Sequence, residues 1–258
     1  MTAIKQTRPE PDQGRISTNA ILSPSTGSGR RRSKGSAGRP GRLRQLGGAL
    51  ALMLAPWGFV ITNACYAWMI RNGGGDETGA DALALAATNP DLIRLLLVAG
   101  MLGCLLIIPA VVTALGLAWR SSLAFVGASL MIAGYVCYFG VLLSNMIIIA
   151  MAERGGPMTD YAAVIDASQS DPWTVWVFPI FIVGNLLGTV LFAIGLLRSR
   201  TVPIWAAILI TLWPPLHVIG LIIGGEVLEV IGAVLQAIGF AGVAVVVLRP
   251  PSQQPSVG

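Results

Sequence analysis

Six polar side chains interrupt the apolar segments of this chain, and their types could bind or move a proton. His217 is the one histidine of the sequence, and Glu226 and Glu229 follow it one helical turn apart. An imidazole titrates near neutral pH, and a carboxylate beside it can exchange a proton with it. We therefore predict an outward-facing polar vestibule that combines an imidazole, carboxylates, a guanidinium and amides: His217, Glu229, Glu226, Arg94, Asn63 and Asn145.

A second interpretation of the same residues needs no site. Arg94, Asn145 and Glu226 would then lie at the membrane interface, with their side chains reaching the headgroups. His217 would be a packed, neutral imidazole that donates to a backbone carbonyl. The sequence favours this second interpretation, because no Asp or Lys lies at mid-membrane depth, where a charge would be stronger evidence of function.

Two successive prolines, Pro214 and Pro215, lie just before His217 and predict a kink. Each proline removes a backbone donor, so the freed carbonyls need partners, for which Thr211, a neighbouring helix or a water are candidates. Kinks of this kind line cavities in transporters, but prolines are also ordinary in membrane helices. The kink therefore fits both interpretations.

Several enzymatic chemistries are excluded by missing residues. One histidine cannot supply bis-histidine haem ligation, and Gly127–Leu130 lacks the second glycine of a serine nucleophile elbow. Zinc-binding and phosphate-loop motifs are absent from the sequence. The three cysteines, Cys65, Cys104 and Cys137, stand far apart within apolar runs and are predicted to be buried apolar residues. We predict a protein that is not an enzyme and has no metal or cofactor.

The polar residues lie in apolar segments long enough to cross a membrane. The chain is 54% hydrophobic and 11% charged, whereas soluble domains carry roughly 25% charged residues. A membrane-spanning helix needs about 20 apolar residues, and backbone groups in lipid must be paired within the segment. We predict an all-α, polytopic membrane bundle, residues 46–248, with six transmembrane helices at about 46–70, 92–119, 123–152, 174–197, 202–223 and 227–248.

The charges predict the orientation of these helices. Fourteen of the 17 basic residues fall on the side of the two termini, and ten of the 12 acidic residues fall on the other side. By the positive-inside rule, both termini are cytoplasmic and the long loops, 71–91 and 153–173, are outside. The first loop is predicted to be irregular. In the second, Tyr161, Val164 and Ile165 recur at helical spacing, which permits a short surface helix.

The terminal segments are predicted to be tails. Residues 1–45, rich in Ser, Gly, Pro and Arg, are predicted to be a disordered basic cytoplasmic tail, and residues 249–258 a short cytoplasmic one. Because the basic residues cluster beside an apolar span, their predicted partner is the anionic headgroups of the lipid bilayer and not a nucleic acid. This lipid-surface patch comprises Arg30, Arg31, Arg32, Lys34, Arg39, Arg42 and Arg44.

Small residues at four-residue spacing predict two close helix contacts. These pairs are Gly184 with Gly188 and Gly220 with Gly224. The segment Gly195–Arg200, GLLRSR, with the following Pro203–Trp205, resembles the inner turn of uncharacterised six-helix bacterial integral membrane proteins of the domain-of-unknown-function type. That resemblance implies a six-span layout and no known activity. An excess of arginine over lysine, 15 to two, also suggests a bacterial protein, and we predict a location in the plasma membrane.

Two functions remain open at this point. The first is a non-catalytic subunit, sensor or packing partner that acts through a membrane-protein partner or a second copy of the chain. The alternative is a small secondary transporter with an outward-facing polar site between the fifth and sixth transmembrane helices.

Overall fold

The described part of the chain, residues 38–249, is built from α-helices in a computed structural model. Its eight helices are α1 (Gly38–Ile70), α2 (Gly79–Thr88), α3 (Pro90–Leu115), α4 (Ser122–Arg154), α5 (Met158–Ser170), α6 (Val177–Arg198), α7 (Ile204–Ile223) and α8 (Glu226–Leu248). Six of these, α1, α3, α4, α6, α7 and α8, are long and apolar enough to cross a membrane. The predicted all-α fold with six spans is confirmed, and the chain is a multi-pass membrane protein.

α1 begins earlier than predicted. It starts at Gly38, so residues 38–45 are helical, whereas the composition of residues 1–45 predicts a disordered tail there. Arg42, Leu43 and Arg44 favour a helix, and the Gln45 amide donates a hydrogen bond to the Val247 carbonyl near the end of α8. Within the lipid-surface patch, Arg42 and Arg44 are exposed. The rest of the tail prediction lies outside the described residues, as do Arg30, Arg31, Arg32, Lys34 and the side chain of Arg39.

Both long loops contain a short helix. The prediction of an irregular first loop is wrong for α2, whose N-terminus is capped by Thr78: the Thr78 hydroxyl accepts a hydrogen bond from the Asp81 backbone N–H at 3.2 Å. The predicted short helix in the second loop is confirmed as α5. Leu83 of α2 packs against Ala162 and Ile165 of α5, so the two short helices stabilise one another. The glycine-rich stretch that suggested an irregular loop covers only the residues before α2.

The six long helices pack in a closed order. α1 contacts α3, and the order continues through α4, α6, α7 and α8, which returns to α1. Successive helices run in opposite directions, so the bundle has two ends. We call the end with α2, α5 and the Gly224–Gly225 connection the loop end. The other, with the connections at 116–121 and 199–203, is the turn end.

Glycines bring α4 and α6 into backbone contact. A Cβ on Gly127 of α4 would lie 2.2 Å from the Phe192 nitrogen, and one on Gly184 of α6 would lie 2.4 Å from the Leu130 carbonyl oxygen. The predicted contact at Gly184 and Gly188 is confirmed. The other predicted pair is only half correct. Gly220 faces α8, whereas Gly224 has the positive φ of 65° typical of a helix C-cap and meets no neighbour within 4 Å.

Candidate functional site

α7 and α8 bring the predicted histidine and glutamate into contact. His217 Nδ1 lies 2.8 Å from Glu229 Oε2, and the two side chains are 23% and 6% exposed. The atoms are at ion-pair distance, but their alignment does not complete a hydrogen bond, and Glu229 Oε1 also has no hydrogen-bond partner among the described residues. The contact is therefore electrostatic. A buried carboxylate with so few partners is costly when charged.

Small and aromatic neighbours hold the pair in place. Gly220, one turn beyond His217, leaves room for the glutamate, since a Cβ there would lie 2.9 Å from Glu229 Cγ. On the other side, the Trp213 ring stacks on the imidazole with centroids 5.1 Å apart. Trp213, His217 and Gly220 recur at spacings of four and three residues and share one face of α7. The spacing on this helix thus positions the imidazole toward α8.

α7 continues through Pro214 and Pro215 as one helix. The prolines leave the carbonyls of Ile210 and Thr211 without their usual helical donors. The Thr211 hydroxyl, a candidate partner from the sequence, donates instead to the Ala207 carbonyl at 2.9 Å. The predicted kink stays a prediction, but the turn before His217 carries polar backbone groups that its own helix does not satisfy.

Asn63 and Asn145 line a separate cavity of about 260 Å³ at the loop end. Residues of α1, α3 and α4 form most of its walls, and α2, Gln169 of α5 and Phe178 of α6 complete the lining. Tyr66 and Asp76, which are not among the predicted site residues, also line it. The Tyr66 hydroxyl donates a hydrogen bond to Asp76 Oδ1 at 2.8 Å. The amides of Asn63 and Asn145 make no hydrogen bond with other residues of the described chain. They are free to interact with a molecule in the cavity.

Glu226 electrostatically connects the pair to the cavity. Its half-buried carboxylate lies within electrostatic range of Glu229, His217 and Asp76. Tyr138, in the cavity wall, also lies within the electrostatic range of Glu229. The ionisable pair and the cavity therefore lie within electrostatic range of one another.

Arg94 lies apart from both places. Its half-exposed guanidinium bridges Asp91 Oδ1, at 3.2 Å, and Glu153 of α4 at the rim of the loop end. The structure thus divides the predicted vestibule into three. His217, Glu229 and Glu226 meet between α7 and α8, the two asparagines line the cavity, and Arg94 joins α3 to α4.

Three further polar residues are buried without full hydrogen bonding. Asn185 Oδ1, Thr189 Oγ1 and Gln236 Nε2 have no hydrogen-bond partner among the described residues. The Gln236 amide comes close to the Tyr135 phenol of α4 without reaching strict hydrogen-bond geometry. Gln236 stands seven residues after Glu229, a spacing that places both on one face of α8 and is visible in the sequence.

The candidate metal ligands and the cysteines of residues 38–249 are dispersed. There, no three His, Cys, Asp or Glu side chains come together in a group that could hold a metal ion. Cys65 and Cys104 are buried, Cys137 is half-buried, and all three are free thiols.

Comparisons with protein-family models, with curated proteins and with solved structures found no match to this chain. The resemblance of Gly195–Arg200 to six-helix bacterial proteins is therefore supported only by the six long apolar helices. The class of protein that fold and site define is a multi-pass membrane protein with an ionisable pair between two spans and a separate cavity at the loop end.

Proposed function

We propose that this protein is a small, non-enzymatic, proton-coupled carrier whose proton site is the His217–Glu229 pair between α7 and α8. The close contact of these two side chains, with the carboxylate only 6% exposed, is the observation that carries the proposal. Ionisable residues inside membrane spans mark proton relays and substrate paths, because lipid makes them expensive. Buried ion pairs contribute little net stability, so packing alone is a weak reason to keep this one.

The chemistry of the pair fits coupling. His217 is partly exposed and can receive a proton from the loop end, while the buried Glu229 loses its negative charge when it is protonated. Moving the side chains of a neutral pair within the low-dielectric interior costs much less free energy than moving those of a charged pair. Protonation would thus permit a rearrangement of α7 against α8, as alternating access requires. Glu226 and the neighbouring cavity place a solute where it would sense that charge.

A second candidate, a non-catalytic sensor or subunit, is favoured by the packing of the turn end. Phe192, Leu196, Phe240 and Val243 are fully buried in that half of the bundle. A tightly packed turn end is expected of a carrier whose solute site is open only to the loop end. It is equally expected of a receptor that never opens a path across the membrane. Such a receptor would signal through a membrane-protein partner or a second copy of the chain.

Uptake into proteoliposomes separates the two candidates. With an imposed pH gradient, the carrier is expected to accumulate at least one of three radiolabelled probes: tetraethylammonium, glucose or lactate. Glu229→Gln should abolish the dependence on the gradient, whereas Glu153→Gln, the same change at the exposed rim, should preserve it. If none of the probes enters and the gradient does not dissipate, the carrier proposal is wrong and the sensor is favoured.

We further propose that both termini are cytoplasmic in a bacterial plasma membrane, because the basic residues concentrate at the turn end. In a variant without its native cysteines, Ser168→Cys of α5 should react with a membrane-impermeant maleimide on intact cells. Ser122→Cys, at the start of α4, should react only after the cells are opened. Both serines are exposed, so a reversed labelling pattern would contradict the orientation.

A further inference from the structure

The cavity at the loop end has the chemistry of a binding site for a cation. Of the described residues that line it, Asp76 is the one that carries a charge. The Glu77 and Glu226 carboxylates also lie within electrostatic range of the Tyr66 hydroxyl that Asp76 accepts from. Three carboxylates within electrostatic range of the Tyr66 hydroxyl make the potential at this wall of the cavity negative, which favours a cation over an anion.

The walls select an organic cation over a hydrated metal ion. Most of the lining is apolar, and three aromatic rings, of Tyr66, Tyr138 and Phe178, contribute to it. Phe181 stacks on Tyr138 with ring centroids 4.3 Å apart and thereby fixes that ring. Aromatic faces bind alkylammonium groups by cation–π attraction, whereas a metal ion needs several oxygen ligands.

The polar groups of the cavity can orient such a ligand. The amides of Asn63, Asn145 and Gln169 line the cavity and make no hydrogen bond with other described residues. Their carbonyl oxygens can accept hydrogen bonds from an ammonium group that Asp76 attracts. The cavity volume of about 260 Å³ limits the ligand to a small molecule.

We infer that this cavity binds a small organic cation, with its ammonium group beside the Asp76 carboxylate that the Tyr66 hydroxyl holds and its apolar body against Tyr138 and Phe178. Binding itself does not depend on the carrier proposal; only the role of the cation as the transported solute rests on it.

Calorimetric titration of the purified full chain in detergent tests the inference. Phenethylammonium is the probe, and 2-phenylethanol is its neutral counterpart with the same ring and a similar length. We expect the ammonium compound to bind and the alcohol to bind at least about tenfold more weakly. Asp76→Asn should weaken phenethylammonium binding by about tenfold or more, and Glu77→Gln, which removes a charge just outside the lining, by about twofold at most.

Tyr66→Phe supplies a second variant that keeps the ring, in case Asp76→Asn does not yield folded protein. It should weaken binding by about threefold through the lost hydroxyl. Equal binding of the alcohol, equal effects of Asp76→Asn and Glu77→Gln, or absence of binding by the wild type would overturn the inference. Glu229→Gln should retain binding. Binding of phenethylammonium without uptake of any probe would count against the carrier alone, and uptake of a probe without binding of phenethylammonium would count against the cation site alone.

Discussion

Gly127→Leu is expected to lower the free energy of unfolding by about 3 kcal/mol or more, because it inserts a side chain where two helix backbones touch. A Cβ at this position would already lie 2.2 Å from the Phe192 nitrogen and 2.8 Å from the Gly188 carbonyl oxygen. Neither atom belongs to a flexible side chain, so α4 and α6 must separate. Lipid offers helices no hydrophobic driving force to associate, so close packing at this contact matters more than it would in water.

Gly140→Leu is the matched control on the same helix. Gly140 is exposed, and a Cβ there meets nothing within 4 Å. The control should change the free energy of unfolding by less than about 0.5 kcal/mol. Titration with sodium dodecyl sulfate in mixed micelles, followed by tryptophan fluorescence, would measure both. Similar stabilities for the two variants would mean that α4 and α6 do not pack through Gly127.

Removal of one member of the His217–Glu229 pair is expected to destabilise the protein by about 3 kcal/mol, because the other member stays buried without its partner. His217→Leu and Glu229→Met are the single changes. The double variant should return to within about 1 kcal/mol of the wild type, since two apolar side chains of similar size fill the space without desolvated charge. That double variant should nevertheless be inactive in proteoliposomes.

The exposed pair between Arg94 and Glu153 provides the comparison. Their side chains are 49% and 43% exposed, so Arg94→Ala and Glu153→Ala should each cost less than about 1 kcal/mol. The same micelle titration measures all of these variants. If the double variant of the buried pair were as unstable as the sum of its single variants, the pair would be a stabilising element of the fold. Its proposed role in proton coupling would then lose its main support.

The number and type of the spans followed from the sequence because lipid leaves the backbone few choices. A long apolar segment must pair its own backbone groups, so it forms a helix whatever its neighbours are. The short helix around Tyr161 was visible for a related reason, since its apolar residues recur on one face. α2 was not predicted, because its ten residues follow a glycine-rich stretch and because their burial depends on α5.

Which polar side chains meet was decided by the tertiary structure. The sequences of helices that are apolar nearly all round, as α4 and α6 are, do not show which face turns toward a given neighbour. Successive side chains point about 100° apart around the helix axis, so this rotation decides which side chains meet. His217 and Glu229 lie on helices joined by a two-residue connection, Gly224–Gly225, so their proximity was within reach of sequence reasoning. Arg94 and Glu153 lie on helices joined by a longer turn, residues 116–121, so their contact could not be predicted from the sequence.

The position of Asp76 is a second feature that the sequence could not predict. It lies in a loop, where the sequence marks it only as an exposed acid. It becomes part of a cavity because Tyr66 holds its carboxylate and α2 covers the space beside it. Hydropathy and backbone pairing therefore determined that the chain spans the membrane. Helix rotation and loop packing, which depend on contacts between distant segments, decided where its charges come together.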